Sequence, residues 1–353
     1  MRPPNLLKLT AVLLVLCGTG ARAAEPLPRL GADPRATSVS GISSGAYMAG
    51  QYEFAHAAEV VGAAIIAGGP YGCAESRYGS YQLPLVHLSL NESQSLYACM
   101  ATTLSWYGIP DPAHLTEQAR EFAALGRIDA IKNLAHHKVY LFSGGADKTV
   151  EHAVVVAAAE VYLRAGVPQA QIKTGPALDA GHGFVTESEG GSCERSAPPY
   201  VVHCGYDQAH DLLEHIYGPL HAKSREPMGR LVTFDQAAAL AGMSGTGLAA
   251  EGAVYIPDAC SSAGGCRIHV AFHGCQQSRA AVGDAFVSGT GFGAWADTNR
   301  IIVLFPQVAP APFTNPLGCW DWWGYTGFEY LTRDAPQIAA VHRMVMQLSA
   351  LRR

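Results

Sequence analysis

The chain has 353 residues, of which 49% are hydrophobic and 15% charged, with a formal net charge of −5 at pH 7. That length and apolar share suit a large buried core, and the acidic balance excludes a basic face for nucleic acid. Beyond the N-terminal segment, no stretch is long and apolar enough to predict an integral membrane span.

Met1 to Ala23 reads as a secretory signal peptide. Arg2 and Lys8 form its charged region, Leu9 to Leu16 its short apolar core, and Ala21-Arg22-Ala23 an A-x-A cleavage site. Leu16, directly before Cys17, is larger than the small residue of a lipoprotein site, so no lipid anchor is expected. Cleavage removes Arg2, Lys8 and Arg22, three positive charges, and takes the total from −5 to −8. Residues 24–353 read as a single catalytic domain, since no Ser/Thr/Pro-rich linker or repeat divides them.

Ala36-Thr37-Ser38-Val39-Ser40 is short, partly β-branched and bounded by Pro34, which predicts a strand. From Ala46 onward, Tyr47, Met48, Gln51, Tyr52 and Ala55 recur at helical spacing. Between them lies Gly41-Ile42-Ser43-Ser44-Gly45, which fits G-x-S-x-G, the turn that lifts a nucleophilic serine between a strand and a helix. The residues two before and two after that serine must be small, because a Cβ there collides across the turn. Ser43 would stand at a helix N-terminus, where backbone N–H groups favour a developing oxyanion, and the N–H of Ser44 is the natural first donor.

The later elements alternate. Val60 to Ala67 reads as a buried parallel strand, Ser93 to Trp106 and His114 to Leu125 as helices, and Lys138 to Ser143 as a strand. Glu151 to Arg164 reads as helix, Gln169 to Thr174 as a weak strand, and Gln208 to Tyr217 as helix. Gly252 to Ile256, Arg267 to Phe272 and Ile301 to Phe305 are three more strands, and Asp334 is expected to cap a last helix carrying Ile338, Val341, Val345 and Leu348. The alternation predicts an α/β fold with a mainly parallel sheet.

A nucleophilic serine needs a base, and the base an orienting carboxylate, in the order serine, acid, histidine for α/β-hydrolases. Asp147 follows the strand ending at Phe142, and His182 lies between Gly181 and Gly183 after the strand near Ile172, both where strand ends feed active-site loops. Asp179 is the rival acid, although a residue three positions away on the same loop rarely points back. Ser44 is the rival nucleophile. Among the fourteen histidines, His136, His137, His152 and His215 are expected to be solvated and His203 to pack locally.

An ordinary α/β-hydrolase places several strands before the elbow, whereas the mature chain leaves only about twenty residues there, too few for strands of about five or six residues. The missing piece comes late: the strand Ile268 to Phe272 runs into His273-Gly274-Cys275, which is similar to the H-G-G-x oxyanion loop. A backbone N–H near Cys275 would be the second donor. That order is the one a circularly permuted α/β-hydrolase would show.

Eight cysteines remain after cleavage: Cys73, Cys99, Cys193, Cys204, Cys260, Cys266, Cys275 and Cys319. An even number in an exported chain implies disulfides, and the absence of any C-x-x-C pair or His–Cys cluster argues against zinc. Proximity suggests Cys260–Cys266 and Cys193–Cys204, after which Cys73–Cys99 and Cys275–Cys319 follow.

With these pieces in place the chain resembles the single-domain polyhydroxybutyrate (PHB) depolymerases with a permuted α/β-hydrolase fold. The resemblance rests on Ser40 to Ala49, Gly145-Ala146-Asp147, Gly181-His182-Gly183, His273 to Gln277, and Asn315 to Tyr325, in the family's order over nearly the whole mature chain. It implies Ser43 as nucleophile, His182 as base, Asp147 as its partner, the N–H groups of Ser44 and Cys275 as oxyanion donors, no metal or organic cofactor, and a polyester of 3-hydroxybutyrate or its oligomers as substrate. Trp320, Trp322 and Trp323 surround Asp321 in a Gly/Pro-bounded loop; rigid aromatic area suits a polyester, which carries methyl groups and ester carbonyls but no charge. They are expected to bind substrate, with at least one lining the cleft and the others open to a core role. Many extracellular depolymerases add a linker and a polymer-binding domain; with none evident here, adhesion is expected from the catalytic domain's own surface. A secreted carboxylesterase for small or plant-wall esters on the same scaffold is the competing expectation.

Overall fold

The protein is described here by a computed structural model covering residues 24–76, 84–100 and 108–352; the predicted leader lies outside them. Twelve strands are used below: β1 (Glu25–Pro26), β2 (Thr37–Ile42), β3 (Val60–Ile66), β4 (Lys138–Phe142), β5 (Ile172–Thr174), β6 (Phe184–Thr186), β7 (Gly191–Ser192), β8 (Val201–His203), β9 (Arg230–Asp235), β10 (Glu251–Ile256), β11 (Arg267–Phe272) and β12 (Ile301–Phe305). Nine of them form one sheet in the order β1-β9-β10-β12-β11-β2-β3-β4-β5. The pairings from β12 to β5 are all parallel, β1 runs parallel to β9, and β10 alone opposes its two neighbours.

The strand side-chain period of two sorts this sheet into two cores. Ala63 and Ile65 of β3 and Val139 and Leu141 of β4 face one core; Ala64, Ile66, Tyr140 and Phe142 face the other. The first core is closed by α1 (Ser44–Ala55), α4 (His152–Ala165) and the Pro336–Ser349 helix, the second by α5 (Gln208–Tyr217) and the Phe292–Asn299 helix. Covering both faces is why β2 and β12 are buried along their whole length, and β12, Ile-Ile-Val-Leu-Phe, reads as a continuous apolar run.

The decisive adjacency is β11 against β2. Phe272 pairs with Gly41, so the last residue of β11 ends beside the elbow. A segment from late in the chain thereby supplies the neighbour that an unpermuted sheet would take from before the serine.

Several expectations shift. The helix predicted over Ser93 to Trp106 is α2 (Pro84–Ala98), and residues 101–107 lie outside the described ones; α3 is Pro112–Ala124. Asp334 does not cap the last helix: Ala335 is its N-cap, with no side-chain hydrogen bond, and Pro336 opens the first turn, where a missing N–H costs nothing. Gln169–Gln171 is a 3-10 turn, and only Ile172–Thr174 is strand. Sequence reading missed β9, the Phe292–Asn299 helix and the small parallel sheet β6-β8-β7. His137 is buried, with Nδ1 on Glu53 at 2.8 Å and Nε2 on the Ala57 carbonyl at 3.0 Å, and His203 is exposed.

Disulfides join Cys73–Cys99, Cys193–Cys204, Cys260–Cys266 and Cys275–Cys319, the four pairs expected. Among the described residues no helix is long and apolar enough to cross a membrane.

Candidate active site

Ser43 occupies the bend between β2 and α1 with φ 57° and ψ −125°, a backbone region that side-chain-bearing residues rarely adopt. The two glycines make the bend possible. A Cβ on Gly41 would stand 2.0 Å from the Gly45 carbonyl oxygen, and one on Gly45 would stand 2.4 Å from the carbonyl oxygens of Phe272 and His273. The strained residue is held by Ser43 N–H donating to Ile66 O at 3.0 Å and by its own carbonyl accepting from Ala46 N–H at 2.9 Å.

Asp147 and His182 come from adjacent loops. Gly144 lets those loops meet, since a Cβ there would lie 2.1 Å from Ala180 O, and Ala146 N–H donates to that same oxygen at 3.0 Å. Gly181 N–H donates to Cys193 O at 2.8 Å, so the Cys193–Cys204 bridge anchors the histidine loop. Both side chains are buried, with His182 Nδ1 at 2.8 Å from Asp147 Oδ2. The other carboxylate oxygen, Oδ1, accepts from the N–H groups of Thr149 (2.7 Å) and Val150 (3.1 Å). Because Nδ1 faces a carboxylate, the ring proton belongs on Nδ1 and the lone pair on Nε2, the tautomer a general base requires. Asp179, the rival acid, is exposed.

Ser43 and His182 line one cavity of about 340 Å³. No hydrogen bond joins them among the described residues, a looseness common before substrate binds. A larger groove of about 1090 Å³ opens beside Asp147, Lys148 and Glu151, but neither Ser43 nor His182 lines it, so the chemistry belongs to the smaller space. Ser44 is turned away: its buried hydroxyl accepts from Trp320 N–H at 3.3 Å. The Ser44 N–H, in the first turn of α1, has no carbonyl four residues back within the helix. Opposite it, Cys275 also lines the cavity, and the loop carrying it approaches closely: a Cβ on Gly274 would stand 3.3 Å from Ser43 Cβ.

The tryptophans divide. Trp322 and Trp323 line the cavity, edge to face with centroids 5.9 Å apart. Trp320 does not: it is wholly buried in the first core, edge-on to Phe272 at 4.9 Å, which corrects its expected place at substrate. Asp321 shapes the loop, its Oδ1 accepting from the N–H groups of Gly324 (2.7 Å) and Tyr325 (3.0 Å) and its Oδ2 from Thr326 N–H (2.8 Å). Burial raises its pKa, and these donors oppose the rise. Sequence reasoning missed Tyr200, Phe313 and Leu96 on the cavity wall. Isolated apolar residues in loops carry no periodic signal that would have found them.

Among the described residues, His56, Glu59 and His342 offer ligand atoms within 4.8 Å of one another. They sit at the opposite end of α1 from Ser43, about 18 Å away at 1.5 Å per residue, and take no part in this site.

A mainly parallel sheet that lifts a serine on a strained strand–helix turn, beside a His–Asp pair at neighbouring strand ends, has the architecture of an α/β-hydrolase. No family model matches the chain. It is 33% identical over 351 residues to a polyhydroxybutyrate depolymerase of Talaromyces funiculosus, covering 95% of this chain and 96% of the relative. It is 37% identical over 343 residues to a poly(3-hydroxybutyrate) depolymerase of Delftia acidovorans, covering 96% of this chain but spanning only 64% of that relative's length. The crystal structure of a PHB depolymerase from Penicillium funiculosum superposes with a TM-score of 0.80 at 32% identity, covering 92% of this chain and 98% of that one. A serine-to-alanine PHB depolymerase complexed with an R3HB trimer gives the same TM-score and coverage at 31% identity. The chain belongs to the polyhydroxybutyrate depolymerase family.

Proposed function

We propose that this protein is a secreted serine esterase that hydrolyses poly(3-hydroxybutyrate) or its oligomers through Ser43, His182 and Asp147, with one catalytic domain behind a cleaved leader. The observation that carries the reading is the strained Ser43 in the same aromatic-walled cavity as a histidine already paired with a buried carboxylate. Four disulfides and the leader-like N-terminus support secretion.

In this mechanism His182 Nε2 takes the Ser43 proton as the hydroxyl attacks the ester carbonyl. Asp147 holds the ring and stabilises the imidazolium. The N–H groups of Ser44 and Cys275 bind the oxyanion, an interaction worth about 2.7–4 kcal/mol per donor in comparable sites. His182 returns the proton to the departing hydroxyl end, leaving an acyl group on Ser43. Water activated by the same imidazole then releases the acid end. Trp322 and Trp323 offer apolar walls to the methyl-bearing chain.

Acid release from amorphous PHB, from its trimer and from short acyl esters, measured for wild type and Ser43→Ala, tests the reading. Wild type should act on polymer and trimer, and the variant on nothing. Turnover confined to short acyl esters would make the protein a carboxylesterase, and full turnover by the variant would remove Ser43 from the mechanism.

A further inference from the structure

Within His273-Gly274-Cys275-Gln276-Gln277, the mechanism uses only one atom pair, the Cys275 N–H. That N–H belongs to the Gly274–Cys275 peptide, whose carbonyl is the Gly274 oxygen. In a trans peptide the C=O and N–H point in opposite directions, so whatever fixes the carbonyl also aims the N–H.

We propose that His273 and Gln277 are positioning residues that grip Gly274 from both sides and so aim the Cys275 N–H at the oxyanion formed on Ser43. The inference rests on the esterase reading given above.

Two hydrogen bonds make the grip and three more anchor it. His273 Nδ1 donates to Gly274 O at 2.7 Å, while its Nε2 accepts from Val308 N–H at 3.2 Å. A carbonyl on one nitrogen and an N–H on the other leave only the neutral ring with its proton on Nδ1. The fully buried setting favours that neutral form, pulling the His273 pKa down to about 4 by desolvation. On the other side of the glycine, Gly274 N–H donates to Gln277 Oε1 at 2.7 Å. Gln277 Nε2 in turn donates to the carbonyls of Pro199 and Tyr200, both at 3.0 Å. Tyr200 lines the cavity and lies edge-on to His182, with centroids 6.1 Å apart. Gln277 thus ties the oxyanion loop to the wall beside the base.

The neighbouring donors are already occupied. Gly274 N–H is held by Gln277, and Gln276 N–H donates to Leu317 O at 2.7 Å. Among the described residues the Cys275 N–H, between them, has no hydrogen-bond partner. A donor kept free by its neighbours' commitments, on a peptide gripped at its carbonyl, needs no reorganisation when charge develops.

The test compares His273→Ala, His273→Asn and Gln277→Met by kcat and KM on the PHB trimer, by thermal midpoint, and by crystal structure. An Asn amide nitrogen occupies the place of Nδ1 and can still donate to Gly274 O. His273→Ala and Gln277→Met should lose about 10- to 100-fold in kcat with KM within about twofold, because the affected contact exists in the transition state. His273→Asn should recover most of the loss while having no acceptor for Val308 N–H. An Ala variant with unchanged kcat, an Asn variant no better than Ala, or parallel losses in kcat and midpoint that Asn does not relieve would each overturn the proposal. If Ser43→Ala keeps wild-type turnover, the esterase reading itself fails. The crystal structures then decide the positioning role alone: a rotated Gly274–Cys275 peptide in His273→Ala supports it, and an unmoved one refutes it.

Discussion

The ring of Trp322 lies flat on that of Tyr47, centroids 4.1 Å apart and planes within 10°. Tyr47 is on α1, four residues past the strained serine, and its hydroxyl donates to the Cys99 carbonyl. One face of the cavity wall is therefore mounted on the helix that presents Ser43. Trp322→Ala removes this stack, worth about 0.5–1.5 kcal/mol beyond its buried area, and opens the wall. The expected result is a rise in KM for the trimer of about tenfold with a smaller change in kcat, and Trp322→Phe should lie nearer wild type. Steady-state kinetics on a soluble oligomer measures both.

Asp147→Asn should be the most costly conservative change. Thr149 and Val150 N–H groups would retain the amide oxygen at the Oδ1 position, so the amide NH2 would face His182 Nδ1. A donor there drives the ring proton to Nε2 and removes the lone pair that takes the serine proton. A loss in kcat of about 10⁴-fold is expected with the fold intact, read as turnover against circular dichroism.

Gly45→Ala tests the close approach of β11's end to the elbow. The added Cβ would meet two backbone oxygens at 2.4 Å, and backbone cannot swing aside as a side chain can. A loss of more than about 3 kcal/mol in urea unfolding is expected, together with loss of activity. An Ala variant as stable as wild type would show that the elbow and the Phe272–His273 backbone are not packed as described.

Acid should destabilise the fold through buried neutral histidines. Burial lowers the pKa of His269 from 6.5 to about 3, and burial with nearby His342 and Arg333 lowers that of His56 to about 3. A depressed pKa means the folded state binds fewer protons than the unfolded chain below about pH 6.5. Stability from these groups is therefore complete above pH 6.5 and falls as pH drops toward 3, by about 1.4 kcal/mol per pH unit for each group at full slope. Urea titrations at pH 7, 6, 5 and 4 should show the decline, and His269→Gln should reduce its slope by one proton's worth. A flat profile would contradict the burial of these rings as neutral species.

The residues proposed for catalysis could be singled out in the sequence because each stands in a local pattern with a steric cause. Gly41 and Gly45 bracket Ser43, Gly181 and Gly183 bracket His182, and Asp147 follows an apolar strand. The late strand that lies beside the elbow was legible too, since a strand-plus-loop at Ile268 to Cys275 resembled the piece missing before the serine. What was hidden depends on tertiary packing. His137 looks solvated on its own segment and becomes a buried partner of Glu53 only when α1 packs beside it. Trp320 and Trp322 stand two residues apart in one loop, yet one belongs to the core and the other to the cavity. β6, β7 and β8 are two or three residues long, below the length at which alternation can be read.

The central seam of the sheet joins segments that are made at opposite ends of synthesis. Ser40 on β2 reaches His269 on β11 at 2.7 Å across 229 residues of sequence. Until that distant partner arrives, the elbow strand has an open flank, and the strained serine lacks the backbone that presses against it. The chain therefore cannot acquire its reactive centre in stages: ester-cleaving power should switch on only when the last third of the polypeptide has joined the first. Slow maturation after translation follows from that geometry, as does complete inactivity in any C-terminal truncation that ends before β11.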